Sequence, residues 1–371
     1  IVFEMKRFVS FLALPSEDIL SAGFIIMGLS ALSGALGLVR DKLLSSQFTP
    51  DLVAVYFVAF VIPENIFQIL ILGALGSAFI PVFSKYHNDE SKWDFALSFL
   101  HASLLVFIIF LLLAFIFTEP LSKMIVPGLE KENPAHLALL INLTRIILVS
   151  QLFFVISYLL TAMLQSFKRF IIPALAPIFY NLGIVIGILF MAPRFGMYGV
   201  ALGVLIGAFL HLAIQIPFIK RLGFHYKLHI DLSHKGISEI VHLMLPRTAS
   251  LILERLKLTI DTLLASVISL SSITFLNFAM HIATFPISLF ASAISQAAFP
   301  FLTKALANNN KAEFRDHLSM SLTHIAFFLA PTSAMFIALH TPIVRLVFGS
   351  RLFSWDATFL TSWTFVLLSL S

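Results

Sequence analysis

Apolar residues run through this chain in long windows separated by short polar breaks, and the window lengths point to helices that cross a membrane. A span needs roughly 20 predominantly apolar residues. Ten such windows occur, at about 21–46, 52–84, 94–118, 136–164, 172–192, 198–218, 238–266, 273–302, 318–340 and from 357 onward. The polar side chains collect in the breaks: Lys85–Trp93, Glu130–His136, Phe167–Phe170, Lys220–Gly236, Lys304–His317 and Gly349–Asp356. The pattern predicts an all-α integral membrane protein.

An internal repeat organises these windows. Leu36-Gly-Leu-Val-Arg-Asp41 returns as Leu256-Lys-Leu-Thr-Ile-Asp261, and Ala78-Phe79-Ile-Pro81 returns as Ala298-Phe299-Pro300. Asp41 to Asp261 and Phe79 to Phe299 share one offset of 220 residues. Six windows fit inside it, an even number, so both copies point the same way across the bilayer. Parallel repeats related by an axis along the membrane normal are a secondary-transporter architecture, with the transport site between the halves. The expected division is an N-lobe at 1–222 with helices 1–6 and a C-lobe at 236–371 with helices 7–10. Chance similarity among apolar residues is the competing explanation, and two matches at one offset weigh against it.

Composition agrees. Of 371 residues, 59% are hydrophobic and 12% charged, with mean hydropathy +0.98 and forty Phe. Soluble domains carry about 25% charged residues, so this chain lacks the polar surface to coat a water-soluble globule. No cysteine is present, which excludes disulfides and thiolate metal sites. Lys and Arg set orientation. With the N-terminus in the cytoplasm, 13 of the 24 fall inside, six outside and five within or near spans. The net charge of +5, spread in this way, suits a membrane and not nucleic acid. The first apolar window lacks a signal-peptide cleavage site. The chain opens on Ile1 and stops at Ser371 in an apolar run, so a longer natural protein is expected.

Ionisable residues inside spans are costly and face a cavity or a partner. In helix 1, Ser30, Ser33, Gly37 and Arg40 share one stripe, leaving open space before a guanidinium suited to grip phosphate or carboxylate. Pairing with nearby acids alone, or snorkelling to the interface, is the structural alternative. In helix 7, Arg247, Glu254, Lys257 and Asp261 lie within about 80° of one another, with Arg255 to one side. This stripe is expected to point into the protein, where Glu254 with Lys257 and Lys257 with Asp261 can neutralise each other. It reads as a gate or an anion or coupling-ion site, against a static ion-pair network. Glu64 and Arg145 are further cavity candidates. His281 can titrate near neutrality, although a lone intramembrane His more often serves packing. Pro63, Pro81, Pro173, Pro177, Pro286 and Pro300 are expected to kink or end helices. No paired-acid, HExxH, Walker A or GxSxG motif occurs, and the loops are too short for a catalytic domain. A transporter without cofactor or metal is expected, driven by a coupling ion or the membrane potential.

Several motifs recur in a familiar order. Helix 1 carries Ser33-x-x-Leu36-Gly37-x-x-Arg40-Asp41. Helix 2 carries Val58-Ala59-Phe60-x-x-Pro63 and Gly73-Ala74-x-x-x-Ala78-Phe79-x-Pro81. The helix 4–5 junction reads Arg169-Phe170-x-Ile172-Pro173-Ala174-x-Ala176-Pro177-x-x-x-Asn181. Helix 6 ends Gln215-x-Pro217-x-x-Lys220, and helix 8 has Phe285-Pro286 with Phe299-Pro300 downstream. Together they resemble the MurJ/MviN lipid II flippase family, within the multidrug/oligosaccharidyl-lipid/polysaccharide exporter superfamily. The resemblance implies a MATE-like fold of two pseudosymmetric six-helix lobes, the second incomplete here, in the bacterial inner membrane. It implies transport of the undecaprenyl-pyrophosphate-linked peptidoglycan precursor to the outer leaflet by alternating access, with membrane lipids and cell-wall synthesis proteins as neighbours. Arg40 is then a contact for the pyrophosphate-sugar head, with Asp41 beside it. The family's basic cavity is thinned: Gly34 stands where an Arg is usual, Glu64, Phe67, Gln68 and Leu72 replace polar helix 2 positions, and His281 and Thr284 replace an Arg and a Glu. Arg255 and Lys257 are expected to compensate. The chain stops before the helices that the resemblance implies receive the lipid tail. Export of another lipid-linked glycan or a drug, or a non-transporting scaffold role, are the alternatives.

Overall fold

The computed structural model describes residues 19–73, 78–86, 89 and 91–370. All regular structure among them is helical. The long helices are α1 (Ile19–Gln47), α2 (Pro50–Phe67), α4 (Lys92–Ile116), α7 (Pro134–Ser166), α8 (Ile171–Ile186), α10 (Met197–Ala213), α12 (Lys235–Ile268), α13 (Leu270–Pro286), α14 (Ser292–Ala307), α15 (Lys311–Ala338) and α17 (Trp355–Ser369). Shorter segments connect them: α3 (Ile80–Lys85), α5 (Thr118–Ile125), α6 (Leu129–Glu132), α9 (Ala192–Phe195), α11 (Ile216–Arg221) and α16 (His340–Phe348). Among the described residues, seven stretches are long and apolar enough to cross a membrane: Pro50–Leu72, Lys92–Ile116, Pro134–Ser166, Ile171–Phe195, Met197–Arg221, Leu270–Ala291 and Lys311–Ala338. At the other three expected spans stand α1, the charge-bearing α12, and α17, which has 15 residues.

Local sequence explains the helix ends. Asn133, Asn310 and Ser354 each accept a hydrogen bond from a first-turn backbone N–H at α7, α15 and α17, so a short polar side chain satisfies a donor the helix leaves open. Pro63 and Pro177 lie inside α2 and α8. Pro286 closes α13, and Pro300 falls within α14. Pro81 and Pro173 instead sit in the first turns of α3 and α8, where the missing N–H has no intrahelical partner to lose. Pro246 in α12 and Pro331 in α15 add two interior prolines to the expected set. Wider π turns follow helices at Gln68–Leu72, Gly187–Met191 and Ile287–Ala291. Such turns release the regular hydrogen-bond ladder and recur where helices serve a function.

Contacts group the chain into two compact units, Asp51–Ile273 and the described residues of Ser16–Pro50 with Thr274–Ser371. The repeat predicts lobes at 1–222 and 236–371; packing places α1 with the later helices and α12 with the earlier ones. Sequence repetition and contact grouping are separate properties of the chain.

Within the first unit, α8 and α10 meet through glycine. A Cβ added at Gly203 would lie 2.8 Å from the Gly187 Cα and 2.9 Å from the Gly183 carbonyl oxygen, so the backbones themselves touch. Small residues permit this close approach where lipid gives no hydrophobic drive to helix pairing. Phe79 stacks on Phe83, Phe95 and Phe99 with centroids 5.1, 6.0 and 5.0 Å away. Within the second unit, Phe278 stacks on Phe348 at 4.1 Å. The C-terminal end of α1 is pinned there: Lys42 Nζ donates to the Gly349 carbonyl (2.6 Å), and Ser45 Oγ donates to the Phe348 carbonyl (2.9 Å).

Candidate functional site

The second unit gathers Arg40, Asp41 and His281. Asp41 is 1% exposed. Its Oδ1 accepts from Arg40 Nε at 3.0 Å and lies 2.9 Å from the second guanidinium nitrogen. Its Oδ2 hydrogen-bonds with His281 Nδ1 at 2.6 Å. Successive helical residues point about 100° apart and do not normally face each other. Here the long Arg stem folds back over its neighbour, because a buried carboxylate needs every available donor. Nothing lies within 4 Å of a Cβ placed at Gly37, one turn before Arg40. At Gly34, by contrast, the Phe285 ring carbons stand 3.0 Å from that position, so a longer side chain must push the ring aside. Thr284 donates to the Met280 carbonyl on its own helix.

The first unit holds a second group, around α2 and α12. Arg255 has a side chain 15% exposed, with Glu64 at 3.9 Å and Glu254 at 4.0 Å. Both separations exceed hydrogen-bond length, and its buried Nε has no hydrogen-bond partner among the described residues. Beside it, Asn65 Nδ2 donates to Thr259 Oγ1 at 2.9 Å, and Thr259 donates back to the Arg255 carbonyl. The guanidinium is thus charge-balanced yet offers free donors.

Of the other helix 7 candidates, Glu254 alone pairs with that group among the described residues. Arg247, Glu254 and Lys257 are exposed and Asp261 is half-buried. The expected Glu254–Lys257 and Lys257–Asp261 pairs do not form among the described residues; Glu254 turns to Arg255 instead. Arg247 and Asp261 likewise have no ion pair there. A projection with 100° per residue places the charged stripe correctly around α12, but tertiary contacts bury its flank, where Arg255 sits. Arg145, on α7, lies over the Phe115 ring at 5.1 Å, and its buried Nε has no hydrogen-bond partner among the described residues. Its charge also reaches Glu119, whose carboxyl is held below its ordinary pKa mainly by the hydrogen bond from Lys123. Lys123, bonded to Glu119 and Glu130 at 2.8 and 2.9 Å, is correspondingly raised.

A buried polar network went unmarked in the sequence. Ser157 Oγ meets His211 Nδ1 at 2.6 Å, Gln215 Nε2 donates to Ser157 Oγ at 2.7 Å, and Thr161 donates to Gln215 Oε1 at 2.9 Å. The signal was available: Ser157 and Thr161 on α7 are a polar pair at i,i+4 on an apolar helix, and His211 near the end of α10 and Gln215 in the turn after it repeat the spacing. No group of three or more His, Cys, Asp or Glu arranged to hold a metal occurs among the described residues.

Comparison with known proteins gives these groups their setting. The family model described as "Lipid II flippase MurJ" matches residues 24–371. The "Probable lipid II flippase MurJ" of Buchnera aphidicola subsp. Acyrthosiphon pisum is 28% identical over 86% of this chain and 64% of its own length. That of Thermotoga maritima is 26% identical over 86% of this chain and 63% of its own. The chain therefore spans a little under two thirds of these relatives. A solved structure of "Lipid II flippase MurJ, inward closed conformation" superposes with TM-score 0.78 and 26% identity, covering 94% of this chain and 72% of that one. An inward-facing MATE family multidrug transporter superposes with TM-score 0.66 at 15% identity, covering 94% and 81%, a likeness of fold alone. The chain is an all-helical membrane protein of the MATE-like fold and belongs to the lipid II flippase MurJ family.

Proposed function

We propose that this protein moves the lipid-linked peptidoglycan precursor, lipid II, from the inner to the outer leaflet of the bacterial cytoplasmic membrane, acting as a transporter and not an enzyme. The observation that carries the reading is the family match over residues 24–371. The Arg40–Asp41–His281 group supports it chemically. Arg40 presents a planar fork suited to pyrophosphate, beside the open space at Gly37. Asp41 balances its charge until the anionic head arrives. His281, on the other carboxylate oxygen, keeps hold of Asp41 when Arg40 turns to phosphate. Two such arrangements of one ion-pair set form a bistable element for alternating access. Arg255 and Lys257 add positive charge from α12, and Glu64, Glu254 and Asp261 balance it. The driving force in this scheme is a coupling ion or the membrane potential.

The Lys and Arg distribution supports a cytoplasmic N-terminus, the repeat supports lobes at 1–222 and 236–371, and cell-wall synthesis proteins are the expected neighbours. The test is complementation. The full-length gene, and the same gene with Arg40→Ala, are expressed in bacteria depleted of their own lipid II flippase. Rescue by the first and not the second, at equal membrane abundance, supports the reading. Failure of well-expressed native protein in its own host background moves the substrate to another lipid-linked glycan.

A further inference from the structure

The polar break between α11 and α12 is a strap without regular structure from Phe224 to Asp231, and apolar residues alternate with polar ones along it. Tyr226, Leu228, Ile230 and Leu232 are all exposed, Leu228 by 78%. Between them the chain is tied to the first turns of α4. Lys227 pairs with Asp94 at 2.6 Å. The His229 carbonyl meets His101 Nδ1 at 2.9 Å, the Tyr226 hydroxyl meets His101 Nε2 at 3.1 Å, and the Asp231 N–H donates to Ser98 Oγ at 3.0 Å. His234 stacks on Phe95 with centroids 4.8 Å apart.

The consequence is visible on α4. All seven residues from Phe95 to His101 are buried, which means that the helix is covered all round there. Farther along, Leu105, Val106, Ile108, Ile109, Phe110 and Leu112 are exposed, as a lipid-facing helix requires. The strap therefore covers one side of the first turns of α4, through Asp94, Phe95, Ser98 and His101. His101 is nine residues into the helix, so the strap spans about 14 Å of it from the Lys92 end. An extended backbone has too few internal hydrogen bonds for the hydrocarbon centre, but apolar side chains with a Tyr suit the interface. Basic residues frame the row: Lys220, Arg221 and Lys235 beside Lys227, against Asp231 as the one acid from 220 to 236.

We propose that this strap is a membrane-interface anchor, laying Tyr226, Leu228, Ile230 and Leu232 into the acyl–headgroup boundary of one leaflet while Lys220, Arg221 and Lys235 engage anionic headgroups. Interfacial segments seat their apolar face about 5–10 Å into that boundary, and juxtamembrane basic residues are drawn to anionic lipid. The strap thereby ties the start of α12 to the bilayer surface.

These 371 residues contain no cysteine, so a single reporter is clean within them, and any cysteine elsewhere in the full-length protein is replaced by serine first. The full-length protein carrying Leu228→Cys, Leu232→Cys, or the control Ser233→Cys is labelled with an environment-sensitive fluorophore. It is then placed in nanodiscs of phosphatidylcholine, with or without phosphatidylglycerol. Nitroxide lipid labelled just below the headgroup should quench the 228 and 232 labels several-fold more than the 233 label, and aqueous iodide should do the reverse. Added phosphatidylglycerol should deepen the difference, and Lys220→Gln with Arg221→Gln and Lys235→Gln should abolish that increment. Equal iodide quenching at all three positions overturns the anchor. Protection in native membranes but not in nanodiscs also overturns it, in favour of a protein partner. Indifference to phosphatidylglycerol overturns the role of the basic frame. None of these readouts depends on the transported substrate.

Discussion

Asp41→Ala tests the charge group most directly. The carboxylate is 1% exposed and bonded on both oxygens. Breaking a buried pair by removing one partner costs about 3–5 kcal/mol, chiefly because the surviving charge is left uncompensated. Here the survivors are partly wetted, with Arg40 at 17% and His281 at 34% side-chain exposure, so solvent screening lowers the expectation to about 3 kcal/mol. Asp41→Asn keeps the shape and one acceptor, and should cost roughly half as much. Unfolding of large membrane proteins is often irreversible, so the suitable measurement is an unfolding rate in nanodiscs at fixed temperature. A loss of about 3 kcal/mol not shared by the transition state raises that rate roughly a hundredfold. The control is the same change in an Arg40→Ala, His281→Ala background, where partners no longer exist and the added cost should fall below about 1 kcal/mol. A change of less than about fivefold in the native background, or full additivity in the triple variant, would refute the reasoning.

The other expectations concern separate parts of the molecule. Gly203→Leu must force α8 and α10 apart, because the obstructing atoms are backbone; folded yield in membranes should collapse, while Gly28→Ala, with nothing within 4 Å, should be tolerated. Phe278→Ala removes a fully buried ring stacked on Phe348 and should cost about 3–5 kcal/mol, read as faster unfolding with no change of substrate preference. Ser157→Ala takes the partner from the buried His211 ring nitrogen and one of two acceptors from Gln215 Nε2, which still reaches the His211 carbonyl, a cost of about 1–3 kcal/mol that thermal inactivation should register. Arg255→Ala combined with Lys257→Ala should leave stability within about 1 kcal/mol, since Arg255 makes no side-chain hydrogen bond among the described residues. The same pair should reduce substrate binding and transport; intact transport would remove α12 from the substrate path.

How far the site could be read from residues alone varied with the range of the interaction. Arg40 stood out because an arginine in an apolar window has few explanations. His281 was weighed mainly as packing, since its partner Asp41 is 240 residues away and nothing local announces the pairing. On α12, helical projection orders the charges around the axis but does not say which flank a neighbour covers, so it leaves Arg255 to one side although its side chain is the more enclosed, at 15% exposure. Tyr226, Leu228, Ile230 and Leu232 had a legible period of two, yet lay in a segment taken as a polar break. Only its ties to Asp94, Ser98 and His101 turn that period into a face.

The sequence by itself determined the solvent and the class of fold. A bilayer acts on each window separately, so length and apolarity are enough to mark spans, and the motif order is enough to mark the family. Tertiary structure decided which charges meet, which prolines kink a helix and which begin one, and what covers α4. Those outcomes depend on side chains from distant segments competing for the same buried space. The linear order of residues does not record that competition.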